Sequence, residues 1–288
     1  MIKLNIGSVP EHFNMPWHLA IEEGMFEKAG ITLNWIDFPG GTGDMCKALR
    51  DGTIDIAIPL TEGTIKDIIN GNPSKIVQTY VESPLLWGIH VGAKSQYKTI
   101  ADLENTKPAI SRIGSGSQLL TYVLAKNEGW DENKLEFQII GNLDGGIKAL
   151  TEGTADYFLW EHFTTKPLVD NGTFRRVGDC PSPWPCFVIT VRNEILQNHK
   201  DEIKTILNII NNKLDDFSTP EKKAKYVNLF SERYNLKKED VKEWLSITEW
   251  NHCNPITTNY IDDIQKNLKL FNVIDQTINS ENIIESLK

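Results

Sequence analysis

A chain of 288 residues, 40% hydrophobic and 24% charged, can build one large core or two lobes of ordinary size and leaves no room for extensive disorder. Its formal net charge of −9 opposes a phosphate backbone, so no nucleic acid is expected as a partner. No stretch nears the roughly 18 to 20 apolar residues that cross a bilayer, so no membrane insertion is expected. The start Met1-Ile2-Lys3-Leu4-Asn5-Ile6 reads as a strand and not as a signal peptide. The expected location is cytoplasmic, or periplasmic or extracellular if an export sequence has been removed.

In chain order, the first segments alternate in period: a strand over 3–8, a helix over 15–29, a strand over 31–37, a helix over 42–51, a strand over 54–58 and a helix over 62–70. Gly30, Gly52 and Gly71 stand just past the helices, where a left-handed stop is wanted. Such alternation implies a mainly parallel sheet with helices on both faces. A stretch over 80–93, including Leu85-Leu86-Trp87-Gly88-Ile89-His90-Val91, suits a crossing from one lobe to the next. The rhythm then resumes, with strands over 108–111, 135–140 and 155–159 and helices over 117–128 and 145–152. A second apolar strand over 186–191 returns the chain after a Pro-rich segment. Beyond it the pattern is helical, over 199–217, 220–234, 238–246 and 259–271, and these helices are expected to pack on the first lobe. Thr219-Pro220 is a good helix start, with Thr as cap and Pro in the first turn.

The two halves echo one another. Lys47-Ala48-Leu49-Arg50-Asp51-Gly52-Thr53-Ile54-Asp55 recurs as Lys148-Ala149-Leu150-Thr151-Glu152-Gly153-Thr154-Ala155-Asp156, identical at six of nine positions. A Gly-Gly pair precedes each copy. The content of the echo is a helix ending in Gly, a short turn and a strand opened by Asp, one copy per lobe. The alternative is that α/β proteins commonly reuse this connection. The expected organisation is lobe 1 over 1–87 and 190–288, lobe 2 over 88–189, two crossings, and a sheet of its own in each half.

In open parallel sheets, ligands gather outside the carboxyl ends of the strands, where helix N-termini converge. That rule selects Pro10, Glu11, His12 and Asn14 after the first strand, Gly40, Gly41 and Thr42 after the second, and Thr61 and Glu62 after the third. In the second half it selects Arg112, Ser115, Gly116 and Ser117, then Trp160 and Glu161. Gly40 to Gly43 is either a ligand loop or a plain turn with Thr42 capping the next helix. The segment 111–117 either holds an anion on its hydroxyls, backbone amides and Arg112 or only caps a helix. Glu161 stands at the mouth of the second lobe or is a solvated first-turn acid. Trp184, hemmed by prolines, is a rigid stacking plate or a core filler. Trp250 and His252 are weaker candidates. Cys46, Cys180, Cys186 and Cys253 are too scattered for a disulfide framework and lack zinc spacing, so free thiols are expected. No catalytic residue, metal or cofactor is assigned.

The phrase Phe158-Leu159-Trp160-Glu161-His162-Phe163-Thr164-Thr165, with Gly40-Gly41 ahead of the first echo, resembles the substrate-binding proteins for nitrate, alkanesulfonates and thiamine pyrimidine precursors. It is similar in particular to a fungal and bacterial subgroup linked to thiamine biosynthesis, over essentially the whole chain. The resemblance implies an α/β fold of the periplasmic-binding-protein type II class: two lobes, two interlobe crossings, a helical C-terminal region and a ligand in the cleft. Relatives that bind aminopyrimidines hold the ring with an acid and aromatic plates, which maps here to Glu161 with Trp160. Sulfonate and nitrate binders use amides and hydroxyls, which maps to Gly41, Thr42, Ser115 and Ser117. A fungal pyrimidine synthase in the family uses a lysine-bound pyridoxal phosphate, a histidine it consumes and a cysteine-rich iron site. Here Pro59 and Gly63 stand at the lysine and histidine positions, and the cysteine cluster has no counterpart. The expectation is a monomer that closes two lobes on a small polar heterocyclic or anionic metabolite without turnover, and that delivers it to a membrane transporter if exported. The competing reading is a thiamine-precursor enzyme using other residues, His12 with Glu11 or Glu62 as acid and base.

Overall fold

The computed structural model describes residues 2–251 and 256–287. His252 and Cys253, named above as a weak candidate and a free thiol, lie outside the described residues. The chain divides into two compact units, Met1–Ser83 with Trp184–Lys288, and Pro84–Pro183.

Unit 1 begins β1 (Ile2–Ser8), α1 (Met15–Glu22), α2 (Met25–Lys28), β2 (Ile31–Asp37), α3 (Thr42–Asp51), β3 (Ile56–Ile58) and α4 (Thr61–Ile69). The single helix expected over 15–29 is two, because Gly24 takes a left-handed φ of 66° between them. β4 (Ser74–Gly92) then carries the chain into unit 2, which holds β5 (Pro108–Ile110), α5 (Gly116–Glu128), β6 (Gln138–Ile139), α6 (Leu143–Glu152), β7 (Tyr157–Glu161) and α7 (Lys166–Asp170). β8 (Phe174–Arg192) returns to unit 1 and its closing helices: α8 (Asn193–Asn198), α9 (Lys200–Leu214), α10 (Pro220–Ala224), α11 (Val227–Tyr234), α12 (Lys238–Ile247) and α13 (Thr258–Leu270). The helix expected over 220–234 is likewise two, α10 and α11. Lys213 of α9 donates to Glu23 at 2.6 Å, tying the closing helices to the end of α1.

The Pro-rich segment expected to precede the return strand is part of it. Along β8, Cys180, Ser182, Trp184 and Cys186 are buried, while Pro181 and Pro183 are exposed and Pro185 is half-buried. Residues two apart in a strand share a face and a hydrogen-bonding edge. Placing the prolines at alternate positions therefore confines their missing N–H groups to one edge.

The echo is a structural repeat. In unit 1, β1 lies between β2 and β3, parallel to both, and β3 runs antiparallel to β8 with Ile56 opposite Val191. In unit 2, β5 lies between β6 and β7, parallel to both, and β7 runs antiparallel to β4 with Tyr157 opposite Val91. Gly52 and Gly153 end α3 and α6 with φ of 73° and 71°. Thr53 and Thr154 then donate back to the Ala48 and Ala149 carbonyls at 2.9 and 3.0 Å. Next, Asp55 accepts the Asn5 N–H at 2.8 Å and Asp156 accepts the Lys107 N–H at 2.7 Å, so each acid caps the neighbouring strand.

The cores match as well. Ala48, Leu49, Ile54 and Ala57 pack with Met45 in unit 1, and Ala149, Leu150, Ala155 and Phe158 pack with Ala109 and Phe174 in unit 2. Each large apolar side chain so buried contributes about 1.5–3 kcal/mol. The strand order is β2-β1-β3-β8-β4-β7-β5-β6, one series where a sheet per half was expected. The series is continuous because β4 and β8, at 19 residues each, run through both units.

Candidate functional site

At the carboxyl ends of the unit 1 strands, short loops fold back on themselves. Ser8 ends β1 and donates to the Ile58 carbonyl at 3.2 Å. Asn14 donates to Ser8 Oγ at 2.9 Å and to the Val9 carbonyl at 2.7 Å, so its amide fastens the first loop. Pro10 is exposed on that loop, and Glu11 is half-buried. Gly41 takes φ 75° and ψ −156°, open to glycine alone, and sets the start of α3. The Asp44 carboxylate lies against Gly40, where a Cβ would displace it. Thr42 does not cap its own helix. Its Oγ1 accepts the Leu60 N–H at 3.0 Å and joins the second loop to the third.

The third loop delivers Glu62. Leu60 is extended at φ −64° and ψ 141°, and α4 begins at the next residue, so Thr61 and Glu62 fall in its first turn. Both side chains are buried, and Thr61 Oγ1 has no partner. Trp184 donates its indole N–H to Glu62 Oε2 at 2.8 Å and sits edge-on to Phe271 at 6.2 Å. Burial pushes the Glu62 carboxyl up to about 7, against its own backbone N–H and the indole, which lower it. A carboxyl held there can give or accept a hydrogen bond near neutral pH.

His12 is buried at 2% exposure, stacked on Phe13 at 4.9 Å and edge-on to Trp244 at 4.2 Å and Tyr234 at 5.9 Å. Its Nε2 has no partner, and neither does Trp244 Nε1 or Tyr234 Oη. Burial takes the imidazole down to about 3, so it is neutral. The acid–base pairing of His12 with Glu62 is not what forms: Glu62 bonds to Trp184 instead. Sequence reasoning missed Trp244 and Tyr234, which carry only an ordinary helical core pattern.

In unit 2, Ser115 is the N-cap of α5 and accepts the Gln118 N–H at 3.3 Å. Gly116 opens the helix, and the Ser117 hydroxyl lies 3.0 Å from Ser115 Oγ and accepts the Ser111 N–H at 3.0 Å. Three buried hydroxyls thus gather at one helix start, with half-buried Arg112 in the same loop. Glu161, also buried, accepts the Thr164 N–H at 2.5 Å, and burial raises its carboxyl above the usual range. Trp160 is its neighbour on β7 and leans on Phe158, 5.1 Å away, within the unit 2 core. Successive strand residues face opposite ways, so Trp160 and Glu161 do not share a face. Two contacts here carried no sequence signal: His162 Nδ1 with Asp179 at 2.7 Å, and His90 Nε2 with the Thr165 hydroxyl at 2.8 Å.

Cys46, Cys180 and Cys186 are buried and not joined in disulfides. Among the described residues no group of three or more His, Cys, Asp or Glu is placed to hold a metal ion, and no helix is long and apolar enough to cross a membrane.

A family model described as Ca3427-like PBP, a periplasmic binding protein, matches residues 87–180. No curated protein matches the chain in sequence. Among solved structures, the Candida albicans CA3427 gene product is 27% identical with a TM-score of 0.88, covering 99% of this chain and 96% of that one. It is described as defining a family with the generic periplasmic binding protein fold. The alkanesulfonate-binding protein SsuA from Xanthomonas axonopodis pv. citri, bound to MOPS, is 16% identical with a TM-score of 0.81, covering 98% and 97%. The nitrate-binding protein NrtA from Synechocystis PCC 6803 is 12% identical with a TM-score of 0.73, covering 97% and 84%. The last two likenesses speak for fold alone. The chain has the periplasmic-binding-protein fold, and over residues 87–180 it is similar to the Ca3427-like proteins within it.

Proposed function

We propose that the chain is a solute-binding protein for a small polar nitrogen heterocycle, an aminopyrimidine of the thiamine-precursor type, which it binds without transforming. The likeness to binding proteins for sulfonate and nitrate supports solute binding. The observation that carries the choice of ligand is Glu62, a buried carboxyl at a strand end whose partner is a neutral indole N–H. An anion is answered only by the protonated form of such a group and repelled by the ionised one, whereas a ring nitrogen paired with an exocyclic amine meets both its donor and its acceptor forms. Thr61, with its unpaired buried hydroxyl, adds a second contact. An ABC-type importer is the partner this reading implies, by analogy with relatives described as import components.

A second reading is an anion seated at the serine cluster of Ser111, Ser115 and Ser117, where hydroxyls and backbone N–H groups converge at the start of α5. Calorimetry and thermal shift with 4-amino-5-hydroxymethyl-2-methylpyrimidine, MOPS and nitrate separate the two. The heterocycle reading expects saturable binding of the pyrimidine with no product formed, weakened about tenfold by Glu62→Gln. Binding of the anions alone, indifferent to Glu62→Gln, would replace it with the second reading.

A further inference from the structure

In unit 1 the repeat closes on a guanidinium. Arg192, the last residue of β8, follows Val191, the partner of Ile56. Its guanidinium lies against the bare face of Gly52, 3.1 to 3.2 Å from where a Cβ would stand, and 3.7 Å from Asp55 Oδ1. Unit 2 keeps the backbone but not this side chain. Val91 pairs with Tyr157 as Val191 pairs with Ile56, so Gly92 occupies the place of Arg192. A Cβ there would meet the Leu150 carbonyl oxygen at 2.4 Å, which bars any side chain from entering at this position. Nothing lies within 4 Å of the equivalent face of Gly153. A cavity of about 420 Å³ opens instead, with Gly92, Lys94, Tyr97, Glu152, Gly153 and Asp156 in its lining. That volume is in the range of small-molecule sites.

The acid at its base repeats too. Asp156 Oδ2 accepts the Lys107 N–H as Asp55 Oδ2 accepts that of Asn5. Oδ1, the atom that faces Arg192 in unit 1, takes the Tyr97 hydroxyl at 2.8 Å in unit 2. A carboxylate offers about four lone-pair sites, so Asp156 keeps acceptor capacity after both bonds. The wall is built: Arg175 donates to the carbonyls of Ala93, Ser95 and Tyr97, which pins that loop and occupies the Arg175 charge. Asp156 precedes β7 and Glu161 ends it, so the cavity stands apart from the candidate solute residues of this unit.

We propose that the cavity in unit 2 binds a guanidinium group from outside the chain, with Asp156 as its charged acceptor, the face of Gly153 as its floor and Tyr97 as an aromatic wall. A planar cation that forms several directed hydrogen bonds and stacks on aromatic rings matches these three surfaces better than an ammonium does. Lys94 in the lining sorts the source. A free arginine brings a carboxylate that Lys94 can pair, and an arginine within a polypeptide does not.

The test is NMR titration of the full chain with L-arginine, N-acetyl-argininamide and N-acetyl-lysinamide. The two arginine probes are expected to give saturable shifts at residues lining the cavity, and the lysine probe none. Asp156→Asn weakens binding about tenfold, the loss of one charge-assisted hydrogen bond. Tyr97→Phe frees Oδ1 and strengthens binding several-fold, a gain that no folding defect produces. Free arginine binding more tightly, with the advantage lost in Lys94→Ala, identifies a free amino acid; equal or tighter binding of N-acetyl-argininamide identifies a polypeptide side chain. Absence of saturable shifts, equal binding of the lysine probe, or indifference to both Asp156→Asn and Tyr97→Phe would overturn the proposal.

Discussion

The two copies of the repeat share strand order, helix stops and aspartate caps, yet they dispose of their buried polar groups differently. Glu62 in unit 1 is held by a side chain from β8, distant in sequence, whereas Glu161 in unit 2 is held by the backbone of its own turn three residues on. At the other strand ends, Asp55 faces Arg192 and Asp156 takes Tyr97. A repeated backbone thus fixes where an acid stands, and the partner chosen from elsewhere decides what that acid can still bind. A carboxyl answered by its own turn is mainly a structural cap. One answered by an indole in a buried strand-end loop retains chemistry to offer a ligand.

The largest effect expected from breaking this comparison lies with His12. Its pKa falls from 6.5 to about 3 by burial, so between those values the unfolded chain binds a proton that the folded one refuses. Unfolding free energy therefore rises with pH through this window and is lost on acidification. His12→Phe keeps the aromatic packing and removes the refusal, so up to about 4 kcal/mol of the acid-side loss should vanish from urea melts taken between pH 3 and 7. An unchanged acid limb would show that the ring is protonated in place.

Glu62 works with the opposite sign. Its pKa rises from 4.5 to about 7, so between those values the folded chain keeps a proton that the unfolded one releases, and stability falls as pH rises. Glu62→Gln preserves an acceptor for Trp184 and is expected to flatten that fall, a gain on the order of 3 kcal/mol at pH 8 relative to pH 4. Comparing it with Glu161→Gln sharpens the contrast: an equal gain from Glu161→Gln would make the two acids equivalent and erase the distinction drawn here.

Smaller effects separate the far strand ends. Arg192→Met leaves Asp55 without its cation and should cost about 2 kcal/mol, while Tyr97→Phe removes one neutral donor from Asp156 and should cost about 1 kcal/mol, both read by denaturant melts. The reverse order would mean that the Tyr97 hydroxyl, and not the backbone, holds the unit 2 loop in place.

Much of the fold was legible because its signals are local. The period change from 2 to 3.6, the glycine after each helix and the Lys-Ala-Leu…Gly-Thr…Asp echo all act within a few residues, and they placed α3, α6 and the strands that follow. The reading faltered where a local signal was outvoted. Gly24 split one expected helix, and three prolines were absorbed into β8, where their alternate spacing puts all the missing N–H groups on one edge. Strand-end candidates such as Glu62, Ser115 and Ser117 were found by position, yet their partners were not.

The sequence by itself determined the α/β class, the repeat and the positions at which loops leave the strands, since periodicity and turn chemistry are written residue by residue. Only the tertiary structure decided that Trp184 answers Glu62, that Trp244 and Tyr234 enclose His12, and that Gly92 stands where Arg192 does in the other copy. Those pairings join residues far apart along the chain. Packing and desolvation select them jointly, and no short window of sequence contains both members.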